Sequence, residues 1–239
     1  MKLRKTLLSK PFRPWSYPVV SVVLLIFLGC SSLLWGHHEF ASRLTASREE
    51  IFQQHEYYRL FTTLAMHANL GHFLGNAIFF GIFGFLLNSY FGFLWFPVLS
   101  IFFGAIINAF TLALYPPNTV LLGASGVVYF MAGAWATLFI LVERKSHWLK
   151  RVMAAMAVSL ILFFPTSYEP EVSYLAHGIG FAIGIAVAFI YFQFARTRIR
   201  REELWERDWV EYLGLLDIQS ETKAGLPTGV DHVDFFDTD

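Results

Sequence analysis

Long apolar runs separated by short polar breaks dominate this chain. The first run covers about Tyr17–Trp35. A second starts near Leu70 and ends at Asn88-Ser89-Tyr90-Phe91-Gly92, a turn signal. The third runs from about Phe93 to Tyr115, where Pro116-Pro117-Asn118 stops it. A fourth begins near Gly123 and stops at Glu143; a fifth, about Val152–Phe164, stops at Pro165. The sixth runs from about Tyr174 to Ala195. Each predicts a helix. The fifth is the shortest, about 20 Å of rise against a hydrocarbon core of about 30 Å, unless it extends back through Trp148.

Charge turns these helices into spans. No Asp, Glu, Lys or Arg occurs at residues 14–38, 60–142 or 172–195. The middle interval alone accommodates three bilayer-spanning helices at roughly 20 residues each. Overall 56% of residues are hydrophobic and 15% charged, where a soluble domain carries about 25% charged residues. The predicted fold is therefore all-α, a polytopic membrane bundle of six helices. Its predicted organisation is an N-terminal segment (1–16), a membrane domain (17–195) and a tail (196–239). Tyr17–Trp35 is long for a signal peptide and lacks a convincing cleavage site, so it reads as a retained helix.

Basic residues set the expected orientation. Lys2, Arg4, Lys5, Lys10 and Arg13 precede the first span; Arg144, Lys145, Lys150 and Arg151 follow the fourth; Arg196, Arg198, Arg200 and Arg201 follow the sixth. Six spans put all three clusters, and both termini, in the cytoplasm. The loop at 37–66 then lies outside, and its mixture of charges with Phe52, Tyr57, Tyr58 and Phe61 suits an interfacial helix. The tail from residue 202 holds 11 acidic and 2 basic residues. Its first half, with Leu204, Trp205, Trp209, Leu213 and Leu216, predicts a short amphipathic helix and its end disorder. A formal net charge of zero gives no general case for nucleic acid. The single Cys30 forms no internal disulfide, and no Cys/His cluster calls for a metal. No cofactor is expected; the partners expected are the bilayer and its proteins.

Spans two, four and six run in one direction, and their polar residues collect at one end. Span two opens with His67, Asn69, His72 and Asn76, span four with Gly123-Ala124-Ser125-Gly126, span six with Ala176-His177-Gly178. Ser125 and His177 each lie 19 positions before the basic residue closing their span (Arg144 and Arg196), so they are level at about 28 Å from the far boundary. A serine hydroxyl needs a base, and neutral imidazole is the usual one. No carboxylate lies within any span, so a Ser125–His177 dyad in direct contact is the expectation. His72 and Asn76 share one helix face and, with the Ser125 N–H, are candidate oxyanion donors. Gly71 with Gly75, and Gly180 with Gly184, are small-xxx-small pairs predicted to bring helices close, and Gly133 would help span four meet span six.

His67-x4-His72-x3-Asn76, Gly123-Ala124-Ser125-Gly126 and Ala176-His177-x2-Gly180-x3-Gly184 together resemble the rhomboid proteases over roughly residues 50–195. The resemblance implies an intramembrane serine endopeptidase that cuts transmembrane proteins, with Ser125 as nucleophile, His177 as general base, and His72 and Asn76 as oxyanion donors. It also implies a structural role for His67 and packing of Tyr129 on the catalytic histidine. Tyr58-Arg59 is similar to a Trp-Arg motif in the family's first loop, with Tyr in place of Trp. Span five and the loop Pro165–Ser173 would act as gate and cap. Short loops without extra domains imply a bacterial inner-membrane enzyme.

Alone, each motif has a plainer reading: Gly-x-Ser-Gly as helix packing, Tyr129 as core, His72 with Asn76 as interhelical hydrogen bonding. Three motifs on three same-direction spans favour catalysis jointly. A haem or metal protein using His67, His72 and His177 would not call for a serine flanked by glycines, and His-Glu-x-x-His is absent. Transporters place charges or broken helices at the midplane. The remaining alternative is a non-proteolytic rhomboid-like protein that binds membrane clients.

Overall fold

The computed structural model describes residues 2–37, 39, 42–163 and 173–206. Eight α-helices are present among them: α1 (Ser16–Gly36), the short α2 (Arg48–Phe52) and α3 (Arg59–Thr62), α4 (Leu70–Phe91), α5 (Ser100–Leu114), α6 (Ser125–Val142), α7 (Trp148–Phe163) and α8 (Tyr174–Arg200). Four short strands pair as two antiparallel ribbons, β1 (Lys2–Lys5) with β4 (Leu204–Glu206) and β2 (Ala46–Ser47) with β3 (Val120–Leu121).

The chain is an integral, helical membrane protein. Five helical stretches are long and apolar enough to cross a bilayer: α1, α4, Leu94–Leu114 (which ends in α5), α6 and α8. The predicted fifth span is α7, which begins at Trp148 and has 16 residues, about 24 Å of rise. Large apolar side chains point outward all round the bundle, among them Leu25, Ile78, Phe102, Phe110, Ile161 and Phe194. Water would penalise such a surface; lipid accepts it.

Local chemistry sets the helix ends that matter here. Asn69 caps α4 by accepting the His72 N–H at 2.9 Å. The same helix stops at Gly92, whose φ of +92° lies in the left-handed region and whose N–H reaches the Asn88 carbonyl at 2.9 Å. Asn88 is buried: it accepts from the Ser16 hydroxyl at 2.8 Å and donates to the Phe96 carbonyl at 2.7 Å. That pins α1 and α4 to the kinked Leu94–Leu99 turn leading into α5.

α6 is the central helix, with most of its residues buried, and it packs most extensively on α8. The two run parallel, because Gly126 of α6 approaches Ala176 and Gly180 of α8 while Phe130 approaches Gly184. A Cβ at Gly180 would collide with the Gly126 carbonyl, one at Gly184 with the Phe130 carbonyl, and one at Gly133 with the Phe181 carbonyl. Backbone-to-backbone approach of this kind is how membrane helices gain packing energy without a hydrophobic driving force.

The loop that follows α1 carries the two short helices α2 and α3. His55 adopts φ +59° and breaks the helical path between α2 and α3. The buried Arg59 guanidinium then gathers the loop, donating to the Ser42 and Thr45 carbonyls at 3.1 and 3.0 Å and pairing with Glu56. At the other end, Leu204–Glu206 is a strand rather than the start of an amphipathic helix. β1 offers it a backbone edge, and ion pairs favour the ribbon: Arg4–Glu206, and beside it Lys10–Glu202 at 2.6 Å and Arg144–Glu203 at 3.0 Å. These contacts join the three basic clusters at one end of the bundle. The predicted cap at Pro165–Ser173, apart from Ser173, and the rest of the predicted tail helix lie outside the described residues.

Candidate active site

At the end opposite the basic clusters, a cavity of about 890 Å³ opens among the N-termini of α4, α6 and α8. Ser125, His177, His72 and Asn76 line it, with Asn69, Gly71, Gly75, Tyr115 and Ser173. Three distant stretches of sequence thus meet in one concavity.

Ser125 is the first residue of α6 and half-buried. At a helix N-terminus its backbone N–H and the helix dipole point toward incoming negative charge. The residues just ahead of it are fixed on every side. Gly123 has φ +108°, a conformation that excludes a side chain, and space excludes one too: a Cβ there would sit 2.9 Å from His72 Cε1 and 3.0 Å from its Nε2. The same Cβ would lie 3.7 Å from Asn76 Nδ2. The His72 and Asn76 side chains therefore lean on the backbone two residues before the Ser125 hydroxyl. The Asn76 Nδ2 is buried and makes no hydrogen bond among the described residues.

His177 is buried one turn into α8, with its ring stacked on Tyr129 at 4.0 Å between centroids and 13° between planes. Ser173 begins that turn: its hydroxyl accepts the Ala176 N–H at 3.3 Å, its carbonyl accepts the His177 N–H at 3.2 Å, and it shares a 3.0 Å hydrogen bond with the Tyr115 hydroxyl. The His177 Nε2 is buried and has no hydrogen-bond partner among the described residues, Ser125 included. The two residues share a cavity wall, and the hydrogen bond expected between them is not formed at His177 Nε2. Catalytic hydrogen bonds are often loose in the absence of substrate and tighten when it binds.

Gly126, Gly180 and Gly184 form the α6–α8 seam that sets how near Ser125 and His177 lie. Gly71 and Gly75 play a different part from the one expected. A Cβ at Gly75 would meet nothing within 4 Å, and one at Gly71 only Asn69 Oδ1. They lie in the cavity wall, where missing side chains leave room.

His67 sits in the loop ahead of α4, outside the spanning helices, and is almost wholly buried. The Ala124 N–H donates to its Nε2 at 3.4 Å, its Nδ1 is 3.0 Å from the Ser31 hydroxyl, and that hydroxyl donates to the Ala65 carbonyl at 2.9 Å. The chain is consistent only with a neutral imidazole carrying its proton on Nδ1. Burial, and secondarily nearby His72, lowers the His67 pKa to about 4. Trp35 also donates to the His67 carbonyl at 2.8 Å, and Thr63 accepts the Gly123 N–H at 3.0 Å. The loop that presents Ser125 is thus tied to α1. Sequence reading missed the roles of Ser31, Thr63 and Ser173, and that of Asn69 as the cap of α4.

The histidine's linkage has a definite sign. The unfolded chain protonates near pH 6.5 and the folded one near 4, so stability is unaffected above pH 6.5, falls between the two values, and levels below 4. The full loss is about 3 kcal/mol. Thermal melts of wild type and His67→Gln across pH 7.5–4 should show this extra acid slope only in wild type; parallel slopes would refute it.

A search of curated proteins returns no match for the chain. The family model described as Rhomboid domain matches residues 54–194, more than half of the sequence and every cavity-lining residue named above. With that match laid over a helical membrane bundle, the chain belongs to the rhomboid family.

Proposed function

We propose that this protein is an intramembrane serine endopeptidase that hydrolyses peptide bonds in or near transmembrane segments of other membrane proteins. Most of the family consists of such enzymes. The observation that carries the reading for this chain is the His177 ring. It is buried and stacked flat on Tyr129, its Nε2 has no hydrogen-bond partner among the described residues, and His177 lines the same cavity as Ser125 and Asn76.

In the proposed reaction a client helix enters from the lipid and unwinds near its end, bringing a peptide carbonyl to Ser125. The Ser125 Oγ attacks the carbonyl carbon while His177 Nε2 takes the hydroxyl proton. The oxyanion is held by the Ser125 N–H, Asn76 Nδ2 and His72. His177 then passes its proton to the leaving amine, and the acyl group stays on Ser125. A water molecule from the cavity, deprotonated by His177, releases the second fragment and restores the hydroxyl. Tyr129 orients the imidazole in place of the carboxylate of a triad.

By the positive-inside rule, the basic end of the bundle faces the cytoplasm, as do both terminal segments (1–16 and 196–239), and the cavity opens toward the outer leaflet of a bacterial inner membrane. A serine-reactive fluorophosphonate should label the full-length protein on Ser125, located by peptide mass spectrometry. Labelling of another serine, or labelling undiminished in His177→Ala, would reject the assignment.

A further inference from the structure

A second cavity, of about 230 Å³, lies at the basic end, between the segment before α1, the C-terminal end of α4 and the C-terminal end of α8. The catalytic reading makes no use of it. Lys10, Arg13 and Arg198 line it, against one carboxylate, Glu202. Glu202 pairs with Lys10 at 2.6 Å, and among the described residues neither Arg13 nor Arg198 has a carboxylate partner. Arg13 and Arg198 therefore line the cavity without an ion pair from the described protein, its one carboxylate being engaged by Lys10.

An independent observation points the same way. Ser89 also lines this cavity; the residue is 3% exposed, and its hydroxyl makes no hydrogen bond among the described residues. A buried donor without an acceptor is costly, and an anion's oxygen would satisfy it. Phe91 and Tyr191 supply apolar wall beside the charges. Guanidinium pairs, a hydroxyl donor and an adjoining apolar wall match a phosphate carried on a glycerol and its acyl chains.

We propose that this cavity binds the phosphate of an anionic phospholipid from the leaflet around the basic end, held by Arg13, Arg198 and the Ser89 hydroxyl. Calling that leaflet cytoplasmic rests on the orientation proposed above; the binding itself depends on neither orientation nor proteolysis. Occupancy joins the N-terminal segment to α4 and α8 through one headgroup.

The test uses the full chain purified in dodecyl maltoside and reads lipid binding rather than cleavage. Native mass spectrometry and thermal melts are followed while dimyristoyl phosphatidylglycerol, dimyristoyl phosphatidylcholine or inorganic phosphate is added. Phosphatidylglycerol should bind at least about tenfold more tightly than phosphatidylcholine. Arg13→Gln/Arg198→Gln should erase that preference, while Lys150→Gln/Arg196→Gln, which removes equal charge outside the cavity, should keep it. Ser89→Ala, a change that costs no hydrogen bond within the described protein, should weaken phosphatidylglycerol a few-fold and leave the lipid-free melting temperature unchanged; this arm decides if the double variant does not fold. Equal binding of the two lipids, equal loss in the control variant, an unaffected Ser89→Ala, or equal protection by inorganic phosphate at the same concentration would overturn the proposal.

Discussion

Ser125→Ala should abolish cleavage of a membrane client, lowering kcat by at least ~10⁴-fold to assay background, while the protein remains folded. Ser125 is half-buried and lines a cavity rather than a packed seam, so losing one oxygen leaves no unfilled core. Asn76→Ala should behave differently. On the proposed mechanism it removes one donor to the oxyanion and leaves the attack itself intact, a loss of about 10²–10³-fold in kcat. Because the Asn76 Nδ2 has no hydrogen-bond partner among the described residues, its removal should not lower the melting temperature. Comparative proteomics of membrane-protein fragments from cells carrying wild-type or Ser125→Ala protein measures the first effect and identifies clients. Cleavage of the same clients that persists in cells carrying Ser125→Ala would reject Ser125 as the nucleophile.

The membrane architecture was legible because few sequence signals are as strong as long charge-free stretches, and because breakers marked where helices end. The run starting near Leu70 and the turn signal that ends at Gly92 bracket α4 where the structure has it. The site's composition was legible for a related reason: polar residues at one end of three parallel spans have nowhere to go but a shared cavity. What stayed hidden depended on partners distant in sequence. Leu204–Glu206 carries an apolar spacing that reads as helix, but Lys2–Lys5, some two hundred positions away, offers an edge that makes it a strand. Ser31 looks like an incidental polar residue in the first apolar run; only the fold reveals it as the acceptor for His67 Nδ1–H. Gly71 and Gly75 have the spacing of a packing motif, yet their face of α4 turns to the cavity. Spacing identifies a helix face, but not what lies opposite it.

That difference among glycines sets the second large effect. Gly184→Val should separate α6 from α8 and cost both stability and activity, whereas Gly75→Ala should be tolerated by the fold. A Cβ at Gly184 would collide with the Phe130 carbonyl and lie 3.0 Å from the Ala134 nitrogen. Both are backbone atoms of the central helix, unable to turn aside as a side chain would. Relief requires α8 to move outward by an ångström or more, which opens the backbone contacts at Gly180 and Gly133 with it. Overpacking of this kind costs at least about 1–3 kcal/mol. The shift also carries His177 away from Ser125, and a displacement of about 1 Å at reacting groups is worth about 10²-fold in rate. Gly184→Val should therefore lower the melting temperature and fluorophosphonate labelling of Ser125 together, although it touches neither the Ser125 nor the His177 side chain. Gly75→Ala places its methyl in open cavity space, so its melting temperature should match wild type and any change should fall on which clients are cut. A Gly184→Val protein that melted and labelled as wild type would show that the α6–α8 seam does not set the spacing of Ser125 and His177.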